Sequence, residues 1–224
     1  MSKKNIFINK ISNLLLSINN KIESFFNFLQ QLRFNKKKFL VKKIFISSAV
    51  LVFTIPLKIV SFFSIKSLKS DSKSKSNMGG FQSMLPLNNP EIKKISKIIL
   101  KEVNIFSNEI GLKNINKMRN IWINVNHFKD YNIIHSHPLC ALSGVYYIKT
   151  PEDCGNIQFV NPVTDLIDIE WKKNILKYNN YNSSQWSIEP KVGKLILFPS
   201  WLKHFVEPNL NKNNPRVSLS FNLK

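Results

Sequence analysis

The sequence feature that most constrains the fold is a change of hydrophobic period near residue 119. Before it, apolar residues recur at the 3.6-residue spacing of an amphipathic helix, which begins at Asn89-Pro90-Glu91 and ends near Gly111. After it, over residues 121–126, apolar and polar residues alternate with a period of two. A helix followed by a strand with one apolar face predicts a sheet that covers a core on one side only.

Further short strands follow at regular intervals. The sequence predicts strands over residues 142–148, 157–160, 194–198 and 216–221, separated by polar turns. Residues 163–190 are predicted to be loop-like or partly helical, and a segment of this length within a β unit often covers a site. The predicted fold class is therefore mainly β with supporting helices, arranged as an antiparallel sandwich or barrel.

Residues 1–75 differ from the rest of the chain and are interpreted as a basic, hydrophobic N-terminal extension. Residues 6–33 carry apolar residues at roughly helical spacing. Such a helix would pack on the domain or lie on a membrane surface, and a poorly ordered extension is the third interpretation. A Ser- and Lys-rich stretch over residues 67–77 reads as a linker before the domain of residues 76–224.

The apolar run of residues 44–65 has two competing interpretations. It is long enough to span a membrane, but it contains Pro56 and Lys58. It also divides into β-rich pieces, and residues 50–55 are predicted to form a strand if the run belongs to the domain. A membrane association through residues 44–65 thus competes with a place in the sheet.

The net charge of +20 would suit a nucleic-acid or anionic-membrane partner, but its distribution argues against nucleic acid. Residues 1–80 hold 15 Lys and Arg against 2 acids, whereas residues 81–224 hold 18 against 11. The second part lacks a dense Arg cluster and an aromatic-basic RNA signature. Two cysteines are too few for a disulfide framework, which favours a reducing, cytoplasmic location.

Three histidines form the candidate metal site. His135 and His137 stand two residues apart, so on a strand both side chains point to one face. His204 follows the strand of residues 194–198, after Pro199 lets the chain turn back. Three neutral imidazoles suit a first-row divalent metal. His127 lies beside Lys129 and Asp130 and is interpreted as an ordinary surface histidine.

The last predicted strand offers a second functional feature. Arg216, Ser218 and Ser220 share one face of it, and the alternate residues form an apolar face. A guanidinium flanked by hydroxyls suits a bidentate grip on a carboxylate. The competing interpretation is a solvated strand face.

Together these motifs carry a resemblance to a family. They are His135-x-His137-Pro138, SGVYYI (143–148), Gly155-x-x-x-Phe159, LFPSWLKHFV (197–206) and RVSLSFN (216–222). In this order they resemble the Fe(II)/2-oxoglutarate oxygenases of the bacterial and phage type, and SNMGGFQS (76–83) resembles the start of that domain. The resemblance covers residues 76–224 and implies a double-stranded β-helix, or jelly roll. It also implies decarboxylation of 2-oxoglutarate to succinate, coupled to oxidation of a second substrate.

The resemblance also implies residue roles. Arg216, supported by Ser218, would bind the distal carboxylate of 2-oxoglutarate. Tyr146 or Tyr147 would hydrogen-bond this co-substrate, and alternation allows only one of the two to face inward. The implied ligands of Fe(II) are His135, His137 and His204. No other catalytic residue is implied, and the second substrate, a small molecule or a peptide, is not identified.

The chain departs from the wider superfamily at residue 137. The usual non-haem iron site has two histidines and one carboxylate, and here the carboxylate position is occupied by His137. Either the site has three histidines, which the His-x-His motif of this subfamily favours, or an acid completes it. The candidate acids are Asp130, Asp153 and Asp165. Asn124 and Asn126 are candidates for fixing the imidazole tautomers.

Two other functions remain open from the sequence. A cupin-like metal-binding protein would use the same three histidines without 2-oxoglutarate. A membrane-associated or nucleic-acid-binding protein would use the β domain only as a scaffold.

Overall fold

The strands of the protein form two antiparallel sheets. The structure is a computed structural model, and it describes residues 44–47, 50–54, 76–113 and 115–224. All of these belong to one compact unit, Val41–Lys224. Within this described part, one sheet has seven strands and the other has five.

The strand bounds are as follows. In spatial order, the large sheet contains β1 (Ile44–Ser47), β2 (Val50–Thr54), β10 (Lys194–Pro199), β7 (Leu142–Lys149), β12 (Arg216–Leu223), β5 (Met118–Asn126) and β4 (Phe81–Met84). The small sheet contains β3 (Asn77–Met78), β6 (Tyr131–His135), β11 (His204–Val206), β8 (Ile157–Val160) and β9 (Gln185–Ile188).

From β5 onward the chain passes repeatedly between the two sheets. The central order β5-β12-β7-β10 of the large sheet is matched by β6-β11-β8-β9 in the small sheet. This interleaving is the connectivity of a double-stranded β-helix. The predicted fold class, mainly β with a jelly-roll core, is confirmed.

One long helix, α1 (Pro90–Glu109), covers the outer face of the large sheet. It begins where predicted, because the Asn89 side chain accepts hydrogen bonds from the backbone N–H groups of Glu91 and Ile92. Pro90 occupies the first turn, where its missing N–H costs nothing. The apolar stripe of α1 packs on the apolar face of the central strands; the buried residues are Ile92, Ile95, Ile99, Val103, Phe106, Ile121, Ile123, Val217, Leu219 and Phe221.

The opposite face of the large sheet turns toward the small sheet. Val145, Tyr147 and Phe198 pack there against Ile157 and Phe159 of β8. The alternating pattern of the sequence therefore separates an apolar outer core from an inner space that carries polar residues.

The segment of residues 163–190 is more ordered than predicted. It contains helical turns over Thr164–Leu166, Ile167–Trp171 and Lys172–Asn174, as the partly helical interpretation requires. However, β9 lies within it and pairs with β8, so the loop prediction is wrong for those four residues. Four residues with mixed burial leave no clear period-two signal in the sequence.

The N-terminal predictions meet the structure only in part. The helix predicted over residues 6–33 lies outside the described residues, as do residues 55–65. Residues 44–47 and 50–54 are strands of the large sheet, in which β1 is the edge strand and β2 lies between β1 and β10. Among the residues that the structure describes, no helix is long and apolar enough to cross a membrane.

Gly144, in the centre of the large sheet, occupies a position with no room for a side chain. A Cβ atom on Gly144 would lie 2.4 Å from the ring of Phe221 and 2.8 Å from the carbonyl oxygen of Ile196. We expect Gly144→Ala to lower the free energy of unfolding by about 3 kcal/mol, the upper end of the usual cost of overpacking, because the backbone carbonyl cannot rotate away. The loss is measured by urea denaturation.

Gly111→Ala is the matched control. Its φ is +73°, but an added Cβ would meet no atom within 4 Å, so only backbone strain of about 1 kcal/mol is expected. Equal losses in the two variants would contradict the packing explanation.

Candidate metal centre

The structure brings His135, His137 and His204 into one cluster. Their potential ligand atoms all lie within 4.8 Å of one another. Strand pairing creates the cluster, because β11 lies antiparallel to β6 and His204 is the direct cross-strand partner of His135. The ring centroids of these two residues are 4.3 Å apart, and that of His137 is 5.0 Å from His135 and 5.2 Å from His204.

Backbone carbonyls fix the tautomers of two of the rings. His135 Nδ1 lies 2.7 Å from the carbonyl oxygen of Ile133, and His204 Nδ1 lies 2.9 Å from that of Leu202. A carbonyl only accepts, so each Nδ1 carries the proton and each Nε2 keeps its lone pair for a metal.

The prediction that Asn124 and Asn126 orient the imidazoles is wrong for these two rings. Asn124 donates to Ser220 Oγ, and Asn126 donates to Asn77 Oδ1. The carbonyls that replace them lie two residues before each histidine, a local arrangement that side-chain patterns do not reveal.

His137 reaches the cluster by a different route from the one predicted. Strand β6 ends at His135, so His137 is not on the strand and the period-two argument fails for it. Its backbone N–H donates to the carbonyl oxygen of Ser200 at 2.8 Å. The Ser200 hydroxyl lies 2.7 Å from that of Ser143, which donates to Asn222 Oδ1.

Ser143, Ser200 and Asn222 are positioning residues that sequence analysis missed. All three are buried, and together they hold the turn on which His137 depends. The only sequence signal was the presence of polar residues within the otherwise apolar motifs of residues 143–148 and 197–206.

Burial keeps the three imidazoles neutral. Desolvation lowers the pKa of His135 and His204 below the ordinary value, and the carbonyl contacts only partly oppose it. Desolvation, followed by the charge of His135, lowers the pKa of His137 to about 4. At neutral pH the cluster therefore presents unprotonated nitrogens, the form that binds a metal.

Arg216 lines the same cavity as the three histidines and is almost completely buried. Its Nη1 donates to three backbone carbonyls, those of Cys154, Gly155 (3.3 Å) and Glu207 (3.1 Å). Its Nη2 is buried without a hydrogen-bond partner among the described residues. The solvated-face interpretation of this strand is therefore wrong, and the free Nη2 points to an acceptor that binds there.

Gly155 is required for this arrangement. Its φ is +80°, and a Cβ would lie 2.4 Å from the carbonyl oxygen of Glu207, one of the three that hold Arg216. The Gly155 of the sequence motif therefore has a structural reason, since a side chain would push apart the loop that orients the guanidinium.

The two tyrosines of the SGVYYI strand face opposite sides. Tyr147 lines the cavity beside its cross-strand partner Ser218, and the Arg216 charge partly offsets the rise in the pKa of Tyr147 that burial causes. Tyr146 instead packs in the outer core, where burial raises its pKa to about 12. Of the two candidates, only Tyr147 is placed to touch a ligand in the cavity.

The cavity between the sheets offers about 50 Å³ of space to the centres of water-sized molecules. The described residues that line it include three histidines and one arginine but no Asp or Glu. No residue of the 163–190 segment lines it. Its polar wall, besides the histidines, consists of Ser76, Gln82, Asn124, Asn126, Asn132, Tyr147, Arg216, Ser218 and Ser220.

The acids proposed as alternative ligands are not in the cluster. Asp130 accepts a hydrogen bond from the backbone N–H of His127, and neither Asp153 nor Asp165 lines the cavity. Within the part of the chain that the structure describes, the metal-ligand group consists of the three histidines alone.

The part of the chain that resembles a known protein family contains this histidine cluster. Residues 120–222 match the model of a family described as "Putative 2OG-Fe(II) oxygenase". The matched segment contains all three histidines of the cluster and Arg216. It does not include residues 76–83, which resemble the start of the oxygenase domain. No curated protein matches the chain.

Three solved structures share the fold. HygX from Streptomyces hygroscopicus, solved with nickel and 2-oxoglutarate bound, has a TM-score of 0.52 at 13% identity, covering 78% of this chain and 82% of that one. A Pseudomonas putida prolyl-4-hydroxylase has a TM-score of 0.50 at 13% identity, covering 71% and 78%. A 2OG-Fe(II) oxygenase family oxidoreductase from Burkholderia pseudomallei has a TM-score of 0.50 at 14% identity, covering 71% and 73%.

The cluster predicts one divalent-metal site that depends on His204. We expect the protein to bind one Fe(II) or Ni(II), and His204→Ala and His135→Ala each to weaken binding by about 100-fold or more, measured by anaerobic titration calorimetry. His127→Ala is the matched control, because His127 is the fourth histidine of the chain and lies outside the cluster. An equal loss in His127→Ala would show that the cluster is not the site.

The lowered pKa values predict acid sensitivity of the metal-free protein. Below about pH 6.5 these histidines bind protons in the unfolded chain, whereas in the folded protein they remain unprotonated to a lower pH. The free energy of unfolding should therefore fall as the pH decreases from about 6.5 toward 4, the pKa of His137. His137→Gln should reduce that fall in urea denaturation at pH 7 and pH 5. Identical pH dependence in the two proteins would contradict the assignment.

Proposed function

We propose that this protein is an Fe(II)- and 2-oxoglutarate-dependent dioxygenase that oxidises a second substrate with release of succinate and CO2. The observation that carries the proposal is the pairing, in one cavity, of a three-histidine cluster with a buried guanidinium whose Nη2 has no partner. A 2-oxo dicarboxylic acid requires a metal for its 2-oxo acid group and a carboxylate anchor for its distal group, and the cavity offers a candidate for each.

His135, His137 and His204 would hold the iron. The Nε2 atoms of His135 and His204 are free because their Nδ1 protons are donated to carbonyls. The His204 ring packs against Phe198 and Phe159, at centroid distances of 4.7 and 5.8 Å, so that side of the cluster is closed to water. Bound iron supplies the oxidative chemistry with 2-oxoglutarate and O2, and the protein supplies binding and orientation.

Arg216 would bind the distal carboxylate of 2-oxoglutarate. Three carbonyls hold Nη1 and thereby orient the guanidinium plane, leaving Nη2 for the ligand. Because the guanidinium is already in place, little side-chain entropy is lost on binding. Ser218 and Tyr147 line the same part of the cavity and offer hydroxyl donors to the carboxylate.

The comparisons support this proposal. The matched family is named for the same metal and co-substrate, and the matched residues include the three histidines and Arg216. The HygX structure holds nickel and 2-oxoglutarate within a similar fold.

The proposal predicts a spectroscopic signature that depends on Arg216. Anaerobic Fe(II) and 2-oxoglutarate should give a metal-to-ligand charge-transfer band, because the 2-oxo acid would bind the metal directly. Arg216→Ala should raise the 2-oxoglutarate concentration needed for half of the band by about 100-fold, since charge-assisted hydrogen bonds are lost. Arg216→Lys keeps the positive charge but loses the planar guanidinium that donates two parallel hydrogen bonds. Its half-saturating 2-oxoglutarate concentration should therefore lie between those of the wild type and Arg216→Ala.

Two controls make this measurement decisive. Arg119→Ala removes an exposed arginine that does not line the cavity, and it should leave the band unchanged. Far-ultraviolet circular dichroism verifies that each variant is folded. A metal-loaded wild-type protein that gives no band at saturating 2-oxoglutarate would contradict the proposal and favour a cupin-like metal protein indifferent to Arg216.

A further inference from the structure

The histidine cluster lacks the negative charge that iron sites of this kind usually have. The usual ligand set contains one carboxylate, which cancels one of the two positive charges of the metal. Here the described residues place three neutral imidazoles in the cluster and no acid. This inference rests on the proposed function, because the excess charge exists only when a divalent metal is bound.

No nearby acid compensates for the missing carboxylate. The described cavity lining contains no Asp or Glu, and no carboxylate contributes to the shifts in the pKa of the three histidines. Asp130 and Glu207 act on Arg216 instead. Both are engaged away from the cluster, since Asp130 accepts from the His127 N–H and Glu207 accepts from Asn156 N–H and Gln158 Nε2.

Binding of 2-oxoglutarate would not remove the excess positive charge at the metal. Its distal carboxylate would be matched by the single charge of Arg216, and its second carboxylate cancels only one charge of a divalent metal. One positive charge would remain next to the cluster, in a half-enclosed cavity where charges interact more strongly than in water.

The wall near the cluster is suited to an additional polar ligand. Trp122 lies 5.8 Å from the His137 ring, and Asn124 follows it on the same face of β5. Asn124 is 5% exposed, and its amide NH2 carries two N–H donors, of which one bonds Ser220 Oγ and the other is left for an anion. Gln82 pairs with Asn124 across β4 and β5 and also lines the cavity.

We infer that the cavity takes a monoanion beside the histidine cluster, in addition to 2-oxoglutarate. This anion is either a free small ion or the anionic group of the second substrate. In both cases the protein selects negative charge by omitting the carboxylate at residue 137 and by keeping the surrounding wall free of acids.

Asn124 allows a test that leaves the metal ligands intact. Asn124→Asp places a carboxylate in the cavity wall with almost no change of volume, and Ser220, which now accepts from Asn124, is able to donate to it. Asn120→Asp is the matched control. It adds the same charge on the same strand, about 13 Å further along at the usual rise per residue, and Asn120 does not line the cavity.

The measurement is the charge-transfer band of the full-length protein with anaerobic Fe(II) and saturating 2-oxoglutarate. Titration with azide or formate should shift the band of the wild-type protein in a saturable way. Asn124→Asp should weaken the apparent anion affinity by about ten-fold or more, and Asn120→Asp should leave it unchanged.

Other outcomes overturn the inference without touching the proposed function. A band that forms but does not respond to either anion would do so, as would a band that is merely lost because the anion displaces 2-oxoglutarate. Equal weakening in Asn120→Asp would show a general charge effect and would also refute it. If no band forms at all, the proposed function fails instead, and Co(II) absorption with azide tests the anion site alone.

The size of the anions that bind distinguishes a free ion from the anionic group of a substrate. If a free ion is taken, chloride, azide and formate should bind, and carboxylates with longer tails should be excluded. If the anionic group belongs to the substrate, propionate and larger carboxylates should bind at least as tightly as formate, because a site for a substrate must also hold the rest of that molecule.

Discussion

The antiparallel pairing of β11 with β6 is the interaction on which the candidate site depends. It makes His204 the direct partner of His135, although 69 positions separate them in the chain. Each of these strands is short, and neither would be stable alone. The small sheet is held in place by the apolar cluster between the sheets, in which Val145, Tyr147 and Phe198 pack against Ile157 and Phe159. This packing fixes the relative positions of the three histidines.

The inner face of the large sheet supplies the rest of the site. Arg216 is oriented by three carbonyls from two loops, and the conformation of Gly155 permits their close approach. A buried guanidinium with an unsatisfied Nη2 is costly in the absence of a ligand. That cost is tolerated at sites where a bound anion recovers it, which connects the fold to the dicarboxylic co-substrate that we propose.

Much of this was predictable from the sequence, for identifiable reasons. The elements α1, β5 and β12 are long and their apolar residues are regularly spaced. The helix, the two strands and the polar face of β12 that carries Arg216 therefore follow from spacing alone. The short strands β6, β9 and β11 were harder, because a few residues do not define a period. The carbonyl partners of His135 and His204, and the serines that hold His137, depend on backbone turns that side-chain patterns do not encode.

The most direct test of the account is formation of succinate from 2-oxoglutarate under air. The Fe(II)-loaded wild-type protein, assayed with a panel of metabolites and peptides that includes carboxylates, should produce succinate with consumption of O2. The His204→Ala protein, assayed in parallel, should produce none. Wild-type protein that binds iron and 2-oxoglutarate but forms no more succinate than His204→Ala would contradict the account.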